Sequence, residues 1–172
     1  DADFYRDAVA DEWTLFYRHR SSRSLRENLD GLLRYSNNFI ANQLFLTLGA
    51  QANGYPVTAE VARAVLQQQL AELYGNSFGR DPQSLLMLEG SGLSRAQRSS
   101  GSGMMHILEV FKPYADLLPE VNGVLRKSGT LTGVYNFVGY MRGPDGLYPF
   151  VILTNQASNN RAEILRLLQR QL

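Results

Sequence analysis

The sequence predicts an α+β fold in which a helical block is followed by an antiparallel sheet of about three strands and a closing C-terminal helix. Two observations carry this prediction. Apolar residues recur at helical spacing in the first part of the chain, and after Pro119 the pattern changes to extended segments separated by turn residues. The 172 residues suffice for one domain with a hydrophobic core. We expect a single domain over 1–172, mainly helical in 1–119, with the strands and the last helix in 120–172.

Apolar residues at intervals of three and four predict helices over residues 24–35, 38–48 and 58–74. Gly49 and Gly75 are expected to end the second and third helices, and Thr58 to cap the start of the third. A shorter helix is predicted over 104–111, before Pro113, with the residues around 85–103 forming a loop. The first twenty residues predict a short helix followed by a strand.

Three strands are predicted over 124–134, 135–141 and 147–154. Gly143-Pro-Asp-Gly146 joins the last two, because proline fixes φ and glycine tolerates positive φ in tight turns. Asn160 and Glu163 have the spacing of a capping box, which predicts the start of the final helix. Ile164, Leu165, Leu168 and Leu172 are expected to pack on the sheet.

Composition excludes several classes of function. Net charge is +1 and the 15 arginines are scattered, so no nucleic-acid partner is predicted. The absence of cysteine excludes disulfides, thiolate metal sites and a cysteine nucleophile. No apolar run reaches the roughly 18 residues of a transmembrane segment. The chain begins with Asp1 and shows no signal peptide, so we expect a processed or trimmed piece of a longer protein.

Lys127-Ser128-Gly129 lies within a predicted strand, and it contains one of only two lysines in the chain. A glycine inside a strand often marks the close approach of another backbone or a ligand. Alternation along the strand places Lys127 and Gly129 on one face and Ser128 on the other. An ammonium and a hydroxyl at this place suit a carboxylate ligand. From these three residues alone, an ordinary strand with a solvated lysine stays open as the alternative.

Ser36-Asn37-Asn38 lies between two predicted helices. Serine and asparagine commonly form turns and caps, because their side chains bind exposed backbone N–H groups. The functional alternative has Ser36 relaying a proton and Asn38 donating its amide to a substrate. Both interpretations are open from these residues alone.

Other motifs give little support for chemistry. Glu89-Gly-Ser-Gly-Leu-Ser-Arg95 is rich in glycine but lacks the Gly-Lys-Ser/Thr of a phosphate-binding loop, so a flexible turn is the simpler interpretation. His19 and His106, the only histidines, belong to no recognisable metal-binding or triad pattern and receive no role. The sequence predicts neither a cofactor nor a metal site.

Taken in order, the motifs resemble one family. They are Arg20-Ser-Ser-Arg-Ser-Leu25, Tyr35-Ser-Asn-Asn-Phe-Ile-Ala-Asn42, Glu89-Gly-Ser-Gly-Leu-Ser-Arg95, Lys127-Ser-Gly-Thr-Leu-Thr-Gly-Val134 and Gly139-Tyr140. The family is the D-alanyl-D-alanine carboxypeptidases/endopeptidases among the low-molecular-mass penicillin-binding proteins. The resemblance covers about residues 17–155. It implies the C-terminal part of a β-lactamase/transpeptidase-like fold.

The resemblance also implies a function and a set of site residues. It implies a periplasmic or exported bacterial enzyme that acts on peptidoglycan stem peptides through a serine ester, with β-lactams as substrate mimics. Catalytic roles fall to Ser36 as proton relay, Asn38 as ligand of the substrate amide and Lys127 as electrostatic anchor. Ser128 and Gly129 belong to the substrate-binding strand, and the Thr130 N–H is one of two oxyanion donors.

The sequence departs from the family pattern at three places. Ser128 stands where threonine is usual, which keeps the hydroxyl, and Asn37 stands where aspartate is common. The third departure is the nucleophile: Glu109 and Val124 stand three residues before the two lysines, so the chain contains no Ser-x-x-Lys. The chain alone is therefore expected to be inactive, although the parent protein is expected to be an enzyme.

Two hypotheses follow. In the first, the chain is the C-terminal portion of a D-Ala-D-Ala carboxypeptidase. In the second, it is a non-catalytic module of the same fold that binds peptidoglycan or a partner. Under both, a short sheet with open edges is expected to pair with another chain. The expected partner is the missing N-terminal part, or a homodimeric or domain-swapped mate.

Overall fold

The structure is a computed structural model that describes residue 17 and residues 20–74 and 85–171. The chain forms two compact units. Among the described residues, the helical unit comprises those up to 32 together with 37–74 and 87–96, and the sheet unit comprises 33–36, 85–86 and 97–171. The helix and strand expected in the first twenty residues lie almost entirely outside the described residues.

Helix α1 spans Leu25–Tyr35, α2 spans Asn38–Asn53 and α3 spans Ala59–Tyr74. Each begins at a side-chain cap. Ser24 and Glu27 form a capping box before α1, in which the Glu27 carboxylate accepts the Ser24 N–H at 2.7 Å and Ser24 Oγ accepts the Glu27 N–H at 3.3 Å. Thr58 Oγ1 accepts the N–H of Val61 at 3.3 Å, as predicted for the start of α3.

The predicted end of α2 at Gly49 is wrong. Gly49 is buried inside the helix, and a Cβ there would lie 2.7 Å from the Ala62 Cα of α3. The glycine therefore lets the two helices approach closely. The helix ends at Gly54, which has φ +78° and donates its N–H to the Ala50 carbonyl. The helix end therefore lies five residues later than expected.

The sheet unit contains the remaining elements. Short strands β1 (Leu85–Leu86) and β2 (Arg98–Ser99) pair with each other within the predicted loop. Helix α4 (Gly101–Phe111) continues into a 3-10 turn (Lys112–Leu117). Then follow β3 (Glu120–Val121), β4 (Val124–Leu131), β5 (Val134–Gly143), β6 (Gly146–Asn155) and helix α5 (Arg161–Gln169).

Strands β3 to β6 form an antiparallel sheet in chain order. The α+β prediction is confirmed, and the sheet has four strands because β3 adds a two-residue pair to the three expected. Two-residue turns set the register, since Leu131 pairs with Val134 and Gly143 pairs with Gly146. The predicted turn at 143–146 is thus observed.

The sheet carries apolar side chains on both faces. One cluster joins β4, β5 and β6 to α5 through Val124, Phe137, Met141, Phe150, Ile152 and Leu165. The other joins Leu125 and Tyr140 to α4 and the 3-10 turn through Leu108, Ala115 and Leu118. The fully buried Tyr140 hydroxyl donates to the Leu108 carbonyl, which satisfies its polar atom inside the second cluster.

The start of α4 and α5 differs from expectation in detail. Ser100 caps α4, accepting the Gly103 N–H at 3.0 Å, so this helix begins at Gly101 rather than Met104. Asn160 precedes α5, but its side chain makes no capping hydrogen bond and instead accepts from the Gln156 amide. The predicted capping box at Asn160 and Glu163 is therefore wrong. Leu165 is buried in the sheet cluster and Ile164 packs beside it, whereas Leu168 is exposed and Leu172 lies outside the described residues.

Candidate functional site

Ser36 occupies the link between α1 and α2, where the chain takes a left-handed conformation with φ +53°. Its neighbour Asn37 is the N-cap of α2, with Oδ1 accepting the Ile40 N–H at 3.0 Å. The side chain of Asn37 therefore serves as a helix cap. The Ser36 hydroxyl takes no part in that cap. Ser36 is exposed and belongs to the sheet unit.

The Lys127 ammonium donates to the Ser36 hydroxyl and, at 3.0 Å, to the Ser128 carbonyl. Burial lowers the pKa of Lys127, because removing the ammonium from water disfavours its charged form. No carboxylate is among the hydrogen-bond partners described for this ammonium. A lysine with a reduced pKa beside a hydroxyl is suited to proton exchange with that hydroxyl.

The pairing of β4 with β5 shows on which face of the sheet each motif side chain lies. Lys127 pairs with Val138, which packs on the cluster containing Tyr140, whereas Ser128 pairs with Phe137 of the opposite cluster. The two motif side chains therefore lie on opposite faces of the sheet, as alternation predicts. The exposed residues Ser128, Gly129 and Thr130 follow directly.

The outer edge of β4 is open along the motif. Within the described residues, β3 pairs only with Val124 and Leu125. A Cβ on Gly129 would meet only the Asn136 side chain, at an ordinary contact distance of 3.6 Å. The described residues therefore do not crowd this face of the sheet at Gly129, and the ligand approach expected there stays a prediction.

A cleft of about 190 Å³ lies where Ser36 meets β4, the strand that carries Lys127-Ser128-Gly129 and is called the motif strand below. Its described lining contains three cationic side chains, two hydroxyls and no acidic side chain. The lining residues are Leu33, Arg34, Ser36, Pro119, Val121, Arg126, Lys127, Ser128 and Phe137. Such a lining favours an anionic ligand, because cations and hydroxyls both bind carboxylate oxygens.

Asn38, the third residue of the Ser-x-Asn motif, is the exposed first residue of α2 and belongs to the helical unit. Its role toward a substrate stays a prediction. The structure thus brings Ser36, Lys127 and Ser128 together in one unit.

Sequence reasoning missed two arginines. The guanidinium carbons of Arg126 and Arg161 lie 4.1 Å and 4.5 Å from the centre of the Phe137 ring. Arg161 Nη1 also donates to the Gly129 carbonyl at 2.9 Å and to Thr130 Oγ1 at 2.8 Å. One signal was available: a cation in the first turn of a helix opposes the helix dipole, so Arg161 at the start of α5 needs another partner.

The loop at Glu89 is ordered within the helical unit. The Glu89 carboxylate accepts the N–H groups of Ser91 at 2.7 Å and Ser94 at 3.1 Å, and Asn42 Oδ1 accepts the Gly90 N–H at 2.8 Å. A Cβ on Gly90 would lie 2.3 Å from the Ala41 carbonyl oxygen. This segment is therefore an anchored turn, in which glycine permits the loop to touch α2.

Residues 14–119 match the family model of the D-Ala-D-Ala carboxypeptidase 3 (S13) family. The chain belongs to this family. The predicted family is thus confirmed by a match over more than half of the chain. The match ends before β4, so Lys127-Ser128-Gly129 lies outside it, and the assignment of that motif rests on its resemblance to the family pattern.

Among curated proteins, the chain is similar to the D-alanyl-D-alanine carboxypeptidase DacB of Haemophilus influenzae, with 26% identity over an alignment of 153 positions. That alignment covers 73% of this chain and 30% of the relative. The chain therefore spans about 30% of the length of this relative.

Three solved structures share the fold. Penicillin binding protein 4 (dacB) of H. influenzae, complexed with a novel β-lactam, matches with a TM-score of 0.68 and 21% identity, over 84% of this chain and 40% of that chain. A second structure of that protein matches with a TM-score of 0.60 and 25% identity, over 77% and 34%. A predatory endopeptidase of Bdellovibrio bacteriovorus, in complex with its immunity protein, matches with a TM-score of 0.62 and 18% identity, over 86% and 42%.

Two kinds of feature are absent from the described residues. None of the described helices is long and apolar enough to cross a membrane. The same residues contain no group of three or more histidine, aspartate or glutamate side chains arranged to hold a metal ion.

Proposed function

We propose that this chain is the substrate-binding portion of a serine-type D-alanyl-D-alanine carboxypeptidase/endopeptidase that acts on peptidoglycan stem peptides in the periplasm or outside the cell. The observation that carries the proposal is the hydrogen bond from Lys127 to Ser36 beside the open edge of β4. Membership of the S13 family supports the same substrate class.

The terminal carboxylate of a D-Ala-D-Ala peptide is the proposed ligand of the cleft. Lys127 attracts it by charge, and the Ser128 hydroxyl donates a hydrogen bond to it. The peptide backbone lies along β4 beside Gly129, and the Asn38 amide binds a peptide group of the substrate. The Thr130 N–H donates to the carbonyl that is attacked. A β-lactam, which carries a carboxylate beside a strained amide, occupies the same positions.

Ser36 is the proposed proton relay. Its hydroxyl accepts from Lys127, whose pKa burial lowers, so a proton can pass between the two groups and a leaving amine. The attacking serine is absent from these 172 residues, because neither lysine has a serine three positions before it. We propose that a Ser-x-x-Lys segment elsewhere in the parent protein supplies it, and that this chain alone forms no acyl-enzyme.

The second candidate is a non-catalytic module that binds peptidoglycan or a partner protein. The observation that favours it is the same polar arrangement of Ser36, Lys127 and Ser128 in a chain without a nucleophile. The coding sequence upstream separates the candidates. A Ser-x-x-Lys encoded in frame before Asp1 supports the enzyme portion, whereas a start codon near Asp1 supports the module.

Two measurements test the proposal. In the first, the chain is titrated with a tripeptide that ends in D-Ala-D-Ala and with its C-terminal amide. We expect saturable binding at millimolar concentrations for the free carboxylate only, and equal behaviour of the two peptides would refute carboxylate recognition. In the second, intact mass is measured after exposure to a labelled penicillin. We expect no adduct, because the chain contains no Ser-x-x-Lys. A covalent adduct would reveal a nucleophile within this chain and contradict the proposal.

A further inference from the structure

The Arg161 guanidinium forms hydrogen bonds with the end of the motif strand. Its Nη1 donates to the Gly129 carbonyl at 2.9 Å, to Thr130 Oγ1 at 2.8 Å and to the Asn136 carbonyl at 3.3 Å. These acceptors lie on β4 and β5 close to their connecting turn. The guanidinium therefore joins the start of α5 to the end of the motif strand.

The Gly129 carbonyl and the Thr130 N–H belong to the same planar peptide and point in opposite directions. The two-residue turn closes at the pair Leu131 and Val134, so ladder hydrogen bonds alternate from there and the pair Gly129 and Asn136 is a bonded one. Thr130 then falls at a non-bonded position, and its N–H is directed to the outer edge of β4. Arg161 thus binds one end of a peptide whose other end faces the open side of the sheet.

A cation on a carbonyl oxygen strengthens the N–H of the same peptide as a donor, because hydrogen bonds in a chain polarise one another. The position of the cation is fixed by the Phe137 ring, which is only 7% exposed, at 4.5 Å from the guanidinium carbon. Arg126 shares this ring, and burial followed by the charge of Arg161 lowers the pKa of Arg126. The two guanidinium groups repel each other, so their contacts with the Phe137 ring and with neighbouring acceptors must offset this repulsion.

We propose that Arg161 is a positioning residue of the substrate site. It fixes the plane of the 129–130 peptide and strengthens the Thr130 N–H toward a carbonyl oxygen of the ligand. This inference rests on the proposed function for the identity of the ligand, whereas the polarisation of the peptide is independent of it.

The test combines the Thr130 amide resonance with peptide affinity in the full chain, comparing the wild type, Arg161→Gln, Arg161→Lys and Arg166→Gln. Arg166 lies exposed on the same helix and serves as the control. In ligand-free Arg161→Gln we expect an upfield shift of the Thr130 amide proton, a smaller shift in Arg161→Lys and none in Arg166→Gln. The dissociation constant for the D-Ala-D-Ala tripeptide is expected to rise about fivefold in Arg161→Gln, the effect of weakening one hydrogen bond.

Each outcome either supports or overturns the role of Arg161 as a positioning residue. An unchanged Thr130 resonance in Arg161→Gln overturns the proposal, whether or not affinity falls; a fall in affinity without that shift would make Arg161 a direct ligand. If Arg161→Gln does not fold, Arg161→Lys decides by the same resonance, because it keeps the charge but loses the planar fork. Absence of peptide binding by the wild type would refute the proposed function, and the ligand-free shift would still decide the role of Arg161.

Discussion

Lys127 donates a hydrogen bond to Ser36, a residue 91 positions earlier in the chain. One partner lies on a strand and the other in the link between two helices, so neither motif alone reveals the contact. It converts two weak sequence signals into one polar site with an open strand edge beside it.

The pKa of Lys127 is expected to lie below the ordinary lysine value of about 10.4 because of burial. Ser36→Ala should lower it further, since the ammonium loses an acceptor. With lysine labelled at ¹³Cε, the chain gives only two signals, and Lys112→Arg assigns them. An unchanged titration in Ser36→Ala would show that the hydroxyl does not stabilise the ammonium.

The same shift has a consequence for stability. Between the two pKa values the folded state binds fewer protons at Lys127 than the unfolded state, so the wild type gains stability relative to Lys127→Met as pH rises through that window. The destabilising contribution of the buried charge is fully present below the folded pKa and disappears above the unfolded value. Urea unfolding of both proteins from pH 7 to pH 11 measures it, and a constant difference would argue against a buried ammonium.

Gly49→Ala is expected to destabilise the chain by about 1–3 kcal/mol, because the added methyl would overlap the backbone of Ala62 in α3. Gly31→Ala is the matched control, since it lies inside α1 with no atom within 4 Å of the new methyl. Helix propensity predicts that this control stabilises by about 0.5–1 kcal/mol. Denaturant midpoints decide, and two changes of the same sign would contradict the close approach of α2 and α3.

Glu89→Gln is expected to cost about 1 kcal/mol, which is below the roughly 1.5–3 kcal/mol of a hydrogen bond to a charged group because this carboxylate is partly solvated. Burial alone would raise the pKa of Glu89, but hydrogen bonds from Ser91 and Ser94 outweigh it and hold the pKa below its ordinary value. Glu60→Gln, in the first turn of α3, provides a control expected to cost only a few tenths of a kcal/mol.

The effect of Glu89 depends on pH with a definite sign. Its contribution is present above the unfolded pKa of about 4.3 and is lost as pH falls through the lowered folded pKa. The difference between wild type and Glu89→Gln should therefore shrink below about pH 4. A difference that stays constant down to pH 2 would show that the carboxylate does not hold this loop.

Strand β6 is the last strand of its sheet and has no described partner along its outer edge. Pro149 lies at a register position whose N–H would face outward, and it partly blunts this edge because it has no donor. Beyond it, the alternate residues Val151, Leu153 and Asn155 keep N–H groups that face outward. We expect concentration-dependent association of the chain in light scattering, and a mass of 19.3 kDa throughout a dilution series would contradict this.

The sequence predicted the helices, the three long strands and their turns because periodicity and turn chemistry are local. It failed where distant packing decides the outcome. Gly49 resembles a helix stop, yet it is a contact point for Ala62. Strand β3 has two residues, too few for any periodic signal, and Asn160 binds Gln156 rather than capping α5.

The same distinction holds for the site. Ser36, Lys127 and Ser128 were predicted from short motifs, and the structure brings the Lys127 ammonium into hydrogen-bond contact with Ser36. Arg161 was missed, since its contacts with Gly129 and Thr130 depend on how α5 returns across the sheet. Only the unfavourable place of a cation at a helix start hinted at it.

The most direct test of the central claim is the affinity of the chain for a tripeptide ending in D-Ala-D-Ala, compared between the wild type, Lys127→Met and Lys112→Met. Both variants remove one of the two lysines, so they match in net charge. We predict saturable millimolar binding by the wild type and Lys112→Met, and at least about tenfold weaker binding by Lys127→Met, as expected for losing a charged hydrogen-bond donor. Equal affinities of the two variants would contradict the assignment of Lys127 and its strand as the carboxylate-binding part of an active site.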